Sequence, residues 1–375
     1  MHKKIAINCW ILRNKQFDGI GYFTIATISR IIRNNPDIHF QILCDKDFTE
    51  DYFDFDNVSK HAIFPALRHP VLYVLYMELV LPLFLKKHKP DVFLSPDGFL
   101  SLLSSCKQVP VIHDINFEHN PQDLKLKNRL YYRFFFKRFA HKAKRIATVS
   151  AYSKKDIVDF YKIDPATVDI VYSSFNGNFS PLDKAEIAEV RNKYSNGKPY
   201  FFFVGSMHPR KNIKRLIEAF DLFKQQTNAA CKLLLAGSIL WDKSDLEEVY
   251  TTSRFKDDII FTGRITDAEL PKILGAALAL SFIPIFEGFG VPIVEAMQSG
   301  VPVICSNVTS MPEVAGDAAL FVDPLNLVDI STAMEKMYSD SNLREELIQL
   351  GHKQKEKFSW DNTAALLWET VRKVL

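Results

Sequence analysis

Two carboxylates, Glu287 and Glu295, stand eight positions apart in the stretch LALSFIPIFEGFGVPIVEAMQSGVPVIC, residues 278–305. A carboxylate accepts hydrogen bonds and does not donate them, so a pair facing one crevice suits hydroxyl groups, as of a sugar or a ribose. Upstream, Arg210 and Lys211 follow a glycine turn, Gly205-Ser206-Met207-His208-Pro209, and precede an amphipathic pattern at 213–223. Cations at a helix start oppose its positive dipole end, and an anionic ligand would relieve the conflict. Arg offers a planar fork for phosphate oxygens and Lys a point charge, which makes Arg210 and Lys211 a candidate diphosphate clamp. Hydroxyls and a diphosphate together describe a nucleotide sugar.

The elements that must hold these groups are legible around them. The apolar run 278–283 predicts a strand, Pro284 to Gly290 a loop, and 293–299 a helix with Gly300 at its C-terminal cap. Glu287 then lies in the loop at the carboxyl end of a strand, where open α/β sheets bind ligands, and Glu295 in the first turn of the following helix. That helix start presents unpaired N–H groups, while Gly288 and Gly290 allow close backbone approach. Short strand-like runs recur at 4–12, 40–44, 91–95, 109–112, 146–149, 168–172, 200–204, 232–236, 259–261 and 303–305, alternating with helical patterns. The alternation predicts an α/β protein with two doubly wound domains.

Several other residues sit where such sheets bind ligands. A βα turn carries Gly19 and Gly21 before a helical pattern at 22–33, although two glycines at that spacing also suit a simple turn. The fourth run ends at His113 and Asp114; the histidine could donate to a sugar hydroxyl or phosphate, and the aspartate could orient the loop. Ser150, Ser153 and Asp156 read as helix caps. Asp54-Phe55-Asp56 has the spacing of a metal-binding pair but no strand–loop scaffold, and reads as a solvated acidic loop. Residues 71–85 predict a buried helix kinked at Pro82.

Bulk properties exclude some classes. A length of 375 residues suggests two domains, and 47% hydrophobic with 24% charged residues is ordinary for a globular protein. A net charge of +3 is too mild to argue for nucleic acid. Five cysteines without a C-x-x-C pair suggest reduced core residues in the cytoplasm. No apolar run reaches the length of a membrane span. The most biased segment, residues 125–145, holds nine Lys/Arg, six Phe/Tyr and no acid. Such a helix could lie on an anionic membrane surface at the inner face, or be a core helix whose charged stems cover apolar area.

The central stretch resembles the E-x7-E segment of the retaining glycosyltransferases of family 4. It matches at Glu287, Gly288, Phe289, Gly290, Pro292, Glu295, Ala296, Met297, Gly300, Pro302 and Val303. Segments around Gly205 to Asn212, Val109 to Asp114, Ser150 to Ser153 and Ser310 to Ala319 are similar to further motifs of that family, and the resemblance is weakest over 45–105. It implies a GT-B architecture, two Rossmann-like domains facing a cleft. Residues 1–180 would bind acceptor, with a terminal helix over 358–375 returning to them, and 181–357 would bind donor. By the resemblance, Glu287, Arg210, Lys211 and His113 are catalytic. Glu295, Gly288, Phe289, Gly290, Val291, Gly205, Ser206, Arg264 and Ile265 bind the donor, and Gly19, Gly21 and Asp114 lie on the acceptor side. Ser206 replaces an arginine frequent in the family. No metal or cofactor is expected; the partners would be a nucleotide sugar, with a lean to GDP-mannose, and a glycan or lipid-linked acceptor. A sugar-nucleotide epimerase, a phosphorylase or a non-catalytic carbohydrate-binding protein could share the architecture.

Overall fold

A computed structural model describes residues 3–13, 19–45, 52–64, 70–238 and 244–375. The chain divides into two units, residues 1–174 with 359–375, and residues 175–358.

The first unit is built on the parallel strands β1 (Lys4–Asn8), β2 (His39–Cys44), β3 (Val58–Ala62), β4 (Val92–Ser95) and β5 (Lys107–Pro110), in the spatial order β3-β2-β1-β4-β5. A bridge from Val111 to Ala147 extends this sheet to β6 (Ile146–Thr148), which pairs with β7 (Val168–Ile170). The second unit has β8 (Tyr200–Val204), β9 (Lys232–Ala236), β10 (Ile259–Gly263), β11 (Ala279–Phe282), β12 (Val303–Ser306) and β13 (Ala319–Val322), in the order β10-β9-β8-β11-β12-β13. Strands with helices on both sides are apolar throughout rather than alternating. Tyr200, Phe201, Phe202 and Phe203 of β8 are accordingly all buried, each worth about 2 kcal/mol of transfer free energy.

Both sheets reverse direction of winding beside their first strand, between β1 and β4 and between β8 and β11. At such a point the two loops leaving the carboxyl ends diverge to opposite faces and leave a crevice. In each unit, the residues after the first and fourth strands therefore meet although some 75–90 residues separate them in sequence.

Sequence expectation and structure differ in places. Gly19 and Gly21 lie within helix α1 (Gly19–Asn34) rather than in a loop. The expected buried helix over 71–85 is broken by a π turn, Tyr76–Val80, ahead of Pro82, and exposes Leu75, Leu79 and Leu83. Asp54 and Asp56 lie exposed in a loop, as expected. The edge strands β3 and β13 were not apparent from the sequence: VSKHA carries too many polar residues, and ALFV is short. The last helix, Trp360–Arg372, packs on α1, with Trp360 against Phe23 and Trp368 against Phe40. The five cysteines are unpaired with one another, four of them buried.

Candidate active site

In the second unit the loop after β8 and the loop after β11 are joined at the switch point. Ile285 N–H donates to the Arg210 carbonyl at 2.8 Å, tying the two backbones together. Arg210 Nη1 donates to Glu287 Oε2 at 2.6 Å and to the Phe286 carbonyl at 3.0 Å, and Lys211 Nζ reaches the same Glu287 oxygen at 2.5 Å. Lys211 also lies 4.8 Å over the ring of Phe282, the last residue of β11. Burial alone would raise the Glu287 pKa, but the two cations outweigh it and hold the carboxylate below its usual range. Arg210 and Lys211 occupy a 3₁₀ turn, Pro209–Lys211, that precedes the amphipathic helix α2 (Ile213–Thr227). The expected conflict with the helix dipole is thus met by Glu287, a partner the sequence did not suggest.

Glycines shape the walls. Gly205 has φ 148° and Gly237, after β9, packs so tightly on it that a Cβ there would fall 1.8 Å from the Gly205 oxygen. Gly290, with φ 103°, ends the β11 loop and starts helix α3 (Val291–Gln298). Glu295 lies in the second turn of α3, not the first, so the helix dipole does not account for it. Its side chain is buried, and no hydrogen bond reaches its carboxyl group among the described residues. Burial, with Asp267 adding to it, pushes its pKa up to about 8. Asp267 follows Arg264 and Ile265 in the loop after β10, which brings that expected donor loop to the neighbourhood of Glu295.

The switch point of the first unit holds a different cluster. The Asp97 carboxyl, two residues beyond β4, accepts from Asn8 Nδ2 at 2.9 Å, from Ser95 Oγ at 2.7 Å and from Trp10 Nε1. Burial pushes it up to about 7 against the lowering effect of the Ser95 and Asn8 bonds. Sequence reasoning missed Asp97, because Ser-Pro-Asp-Gly reads as an ordinary turn. Beyond β5, the His113 ring meets Phe23 of α1 edge-on at 4.9 Å, and Nε2 lies 2.9 Å from the Pro96 carbonyl. A carbonyl only accepts, so Nε2 carries the proton and donates within the protein; in a neutral ring Nδ1 is then an acceptor. Asp114 accepts from Asn116 N–H at 3.0 Å, ordering the loop. Ser150 caps its helix as expected, whereas Ser153 donates through its hydroxyl to the His113 carbonyl and Asp156 pairs with His119.

Comparison with known proteins places this geometry. Residues 18–176 match the sequence model of Glycosyltransferase Family 4 and residues 184–354 that of Glycosyl transferases group 1. The O-antigen chain mannosyltransferase B of Escherichia coli is 31% identical over 283 residues, covering 74% of this chain and 73% of that protein. This chain belongs to the family 4, group 1 glycosyltransferases. The O-antigen chain mannosyltransferase RfbU of Salmonella typhimurium is 29% identical over 72% of this chain and 70% of its own length. Among solved structures, the lipopolysaccharide glycosyltransferase WaaG superposes with a TM-score of 0.74 at 16% identity, covering 96% of this chain and 97% of its own. Anabaena HepE in complex with UDP-glucose gives 0.77 at 15% identity, covering 99% and 100%. The glycosyltransferase therefore has the GT-B fold, each unit being one of its Rossmann-like domains.

One surface of this glycosyltransferase stands apart from its sheets. The helix Leu126–Lys142 buries Tyr131, Phe136, Phe139 and Ala140 and turns Leu126, Leu130 and Phe134 to solvent, each more than half exposed. At 100° per residue these three fall on one face. Exposed Lys127, Arg133, Lys137 and Arg138 surround them, with the Arg138 guanidinium 3.6 Å from the centre of the Phe134 ring. No described helix is long and apolar enough to cross a membrane.

Proposed function

We propose that the enzyme transfers mannose, with retention at C1, from GDP-mannose to a glycan or lipid-linked acceptor during assembly of a cell-surface polysaccharide. The observation that carries this reading is the Arg210–Lys211 pair held on Glu287 at the switch point, with the unpartnered Glu295 in the helix that follows. The mannosyltransferases among its relatives support the choice of sugar.

As the C1–O bond to the diphosphate breaks, negative charge grows on the leaving group. Arg210, Lys211 and the N–H groups at the start of α3 would stabilise that charge more than the ground state, which is the condition for rate enhancement. Glu295, whose carboxyl group no described protein donor reaches, would take the ribose hydroxyls. Glu287 with Gly288, Phe289, Gly290 and Val291 would position the sugar. Gly205 and Ser206 would line the phosphates, and Arg264 and Ile265 the base. His113 would contact the donor sugar, and Asp114 with Gly19 and Gly21 of α1 would serve the acceptor side. Attack would come from the face of the leaving group, a phosphate oxygen taking the acceptor proton. No bound metal enters this scheme. The domain roles follow, acceptor with the first unit and donor with the second.

The exposed face of Leu126–Lys142 fits an anionic lipid surface, apolar side chains entering the boundary and cations meeting headgroups. This would hold the enzyme at the cytoplasmic face of a membrane, near a lipid-linked acceptor.

The test is incubation of the full chain with labelled GDP-mannose and mannose-terminated oligosaccharides, UDP-glucose running in parallel. Expected are GDP release and an extended product with an α linkage by NMR. An isomerised sugar nucleotide formed without acceptor, or no turnover of GDP-mannose, would refute the reading.

A further inference from the structure

The segment after β12 holds a backbone conformation that its sequence disfavours. Thr309 has φ 58°, in the left-handed region that a β-branched residue enters at a steric cost. The other described non-glycine residues of positive φ, Lys89, Lys162, Asn196, Asn212 and Asn228, each directly follow a helix or 3₁₀ turn, where this conformation is common. The buried Thr309 hydroxyl has no hydrogen-bond partner. Such a conformation persists only where neighbours over-determine it.

The next two residues show what it supports. Ser310 is wholly buried, and its Oγ donates to the Glu287 carbonyl at 2.9 Å and the Phe289 carbonyl at 3.0 Å, one proton shared between two acceptors. Met311, also buried, packs on Gly290 so closely that a Cβ there would lie 2.7 Å from the Met311 methyl carbon. The Glu287–Gly290 loop is thus held at the carbonyls of Glu287 and Phe289 and at Gly290 by residues 310–311.

We propose that Ser310 is a positioning residue for glycosyl transfer, aimed by the left-handed turn at Thr309. The inference rests on Glu287 holding the donor sugar. In the free enzyme the anchors of the loop include the ion pairs of the Glu287 side chain and the Ser310 bonds to its backbone. A bound diphosphate shares Arg210 and Lys211 with Glu287 and weakens the first anchor. The Ser310 hydroxyl then keeps the carboxylate in register with the reacting sugar. Loss of that hydroxyl should slow turnover without weakening the grip on nucleotide.

The test uses the full chain with Ser310→Ala, Ser310→Thr, Thr309→Gly and Glu287→Gln. GDP release from GDP-mannose with oligosaccharide acceptor, GDP affinity by calorimetry, and the unfolding midpoint are measured for each. Ser310→Ala is expected to lower kcat by roughly tenfold or more, as small misplacements of reacting groups do, with GDP affinity unchanged within about twofold. Ser310→Thr, which keeps the hydroxyl, should recover most of the rate. Thr309→Gly should unfold no lower than the wild type, because glycine accepts this φ freely. Normal turnover in Ser310→Ala while Glu287→Gln is slow overturns the proposal, as does a loss of GDP affinity in Ser310→Ala that matches its loss of turnover. Normal turnover in Glu287→Gln instead refutes the role of Glu287, so the two failures are told apart.

Discussion

At the switch point of the second unit, two cations from the loop after β8 hold a carboxylate from the loop after β11; at that of the first unit, Asn8, Trp10 and Ser95 surround Asp97 with neutral donors. The topology is the same in both, and the electrostatics are opposite. Glu287 is kept ionised by charges that an incoming anion could share. Asp97 is saturated by groups that offer an anion nothing, and burial pushes it up to about 7. A doubly wound sheet supplies the crevice, and the side chains on the two diverging loops decide whether it is poised for exchange or locked.

The sharpest way to break this comparison is Glu287→Gln. Transfer is expected to fall roughly 10²–10³-fold, the loss typical of a group that acts near developing charge. The variant should also lose about 1–3 kcal/mol of stability, since Arg210 and Lys211 would lose a partly buried partner. Steady-state kinetics and chemical denaturation measure both, and a rate within a few-fold of wild type would contradict the assignment.

Asp97→Asn should do the reverse. An amide turns one acceptor into a donor facing Asn8, Ser95 or Trp10, which should cost about 1–3 kcal/mol while GDP affinity stays the same. The pH dependence carries a sign. Asp97 is raised in the folded protein to about 7 from an ordinary value near 4, so the stability linked to it is complete below pH ~4 and lost as pH rises towards 7. Denaturation of the variant should show a flatter pH dependence across that range. The ion pair at Glu287 runs the other way: its contribution is present above the unfolded pKa and is lost as pH falls through the depressed folded value.

Glu295 sharpens the comparison within the second unit. Its folded pKa of about 8 means stability falls from pH ~4.5 to 8, and Glu295→Gln should lose that slope, gaining on the wild type by about 2 kcal/mol at pH 8 relative to pH 6. The smallest effect is a proton. If ribose hydroxyls donate to Glu295, they favour its ionised form, and GDP binding at pH 7 should release part of a proton. Calorimetry in buffers of different ionisation enthalpy would detect this, and enthalpies independent of buffer would remove Glu295 from the ribose site.

The proposed donor site was legible because Glu287, its glycines and Glu295 are contiguous and carry strand, loop and helix signals together. What stayed hidden is pairwise and long-range. Nothing local tells that Arg210 and Glu287 touch, since this depends on β8 and β11 being neighbours in a sheet. Asp97 looked like a turn residue because two of its partners, Asn8 and Trp10, lie nearly ninety residues away. Ser310 matched a family motif, yet its bonds to Glu287 and Phe289 need the β12 loop placed beside the β11 loop. The half-exposed helix at residues 70–88 was misread because a π turn changes which side chains face outward, and no residue type announces one.

The return of the last helix, Trp360–Arg372, to the first unit has a consequence for synthesis. Phe23 and Phe40, which Trp360 and Trp368 contact, are translated more than three hundred residues before those tryptophans leave the ribosome. For that interval the first unit must exist with one apolar flank bare, while the second unit can complete itself. Nascent chains halted before residue 359 should accordingly bind chaperones through the early half, and a truncated product should precipitate rather than accumulate as a smaller soluble domain.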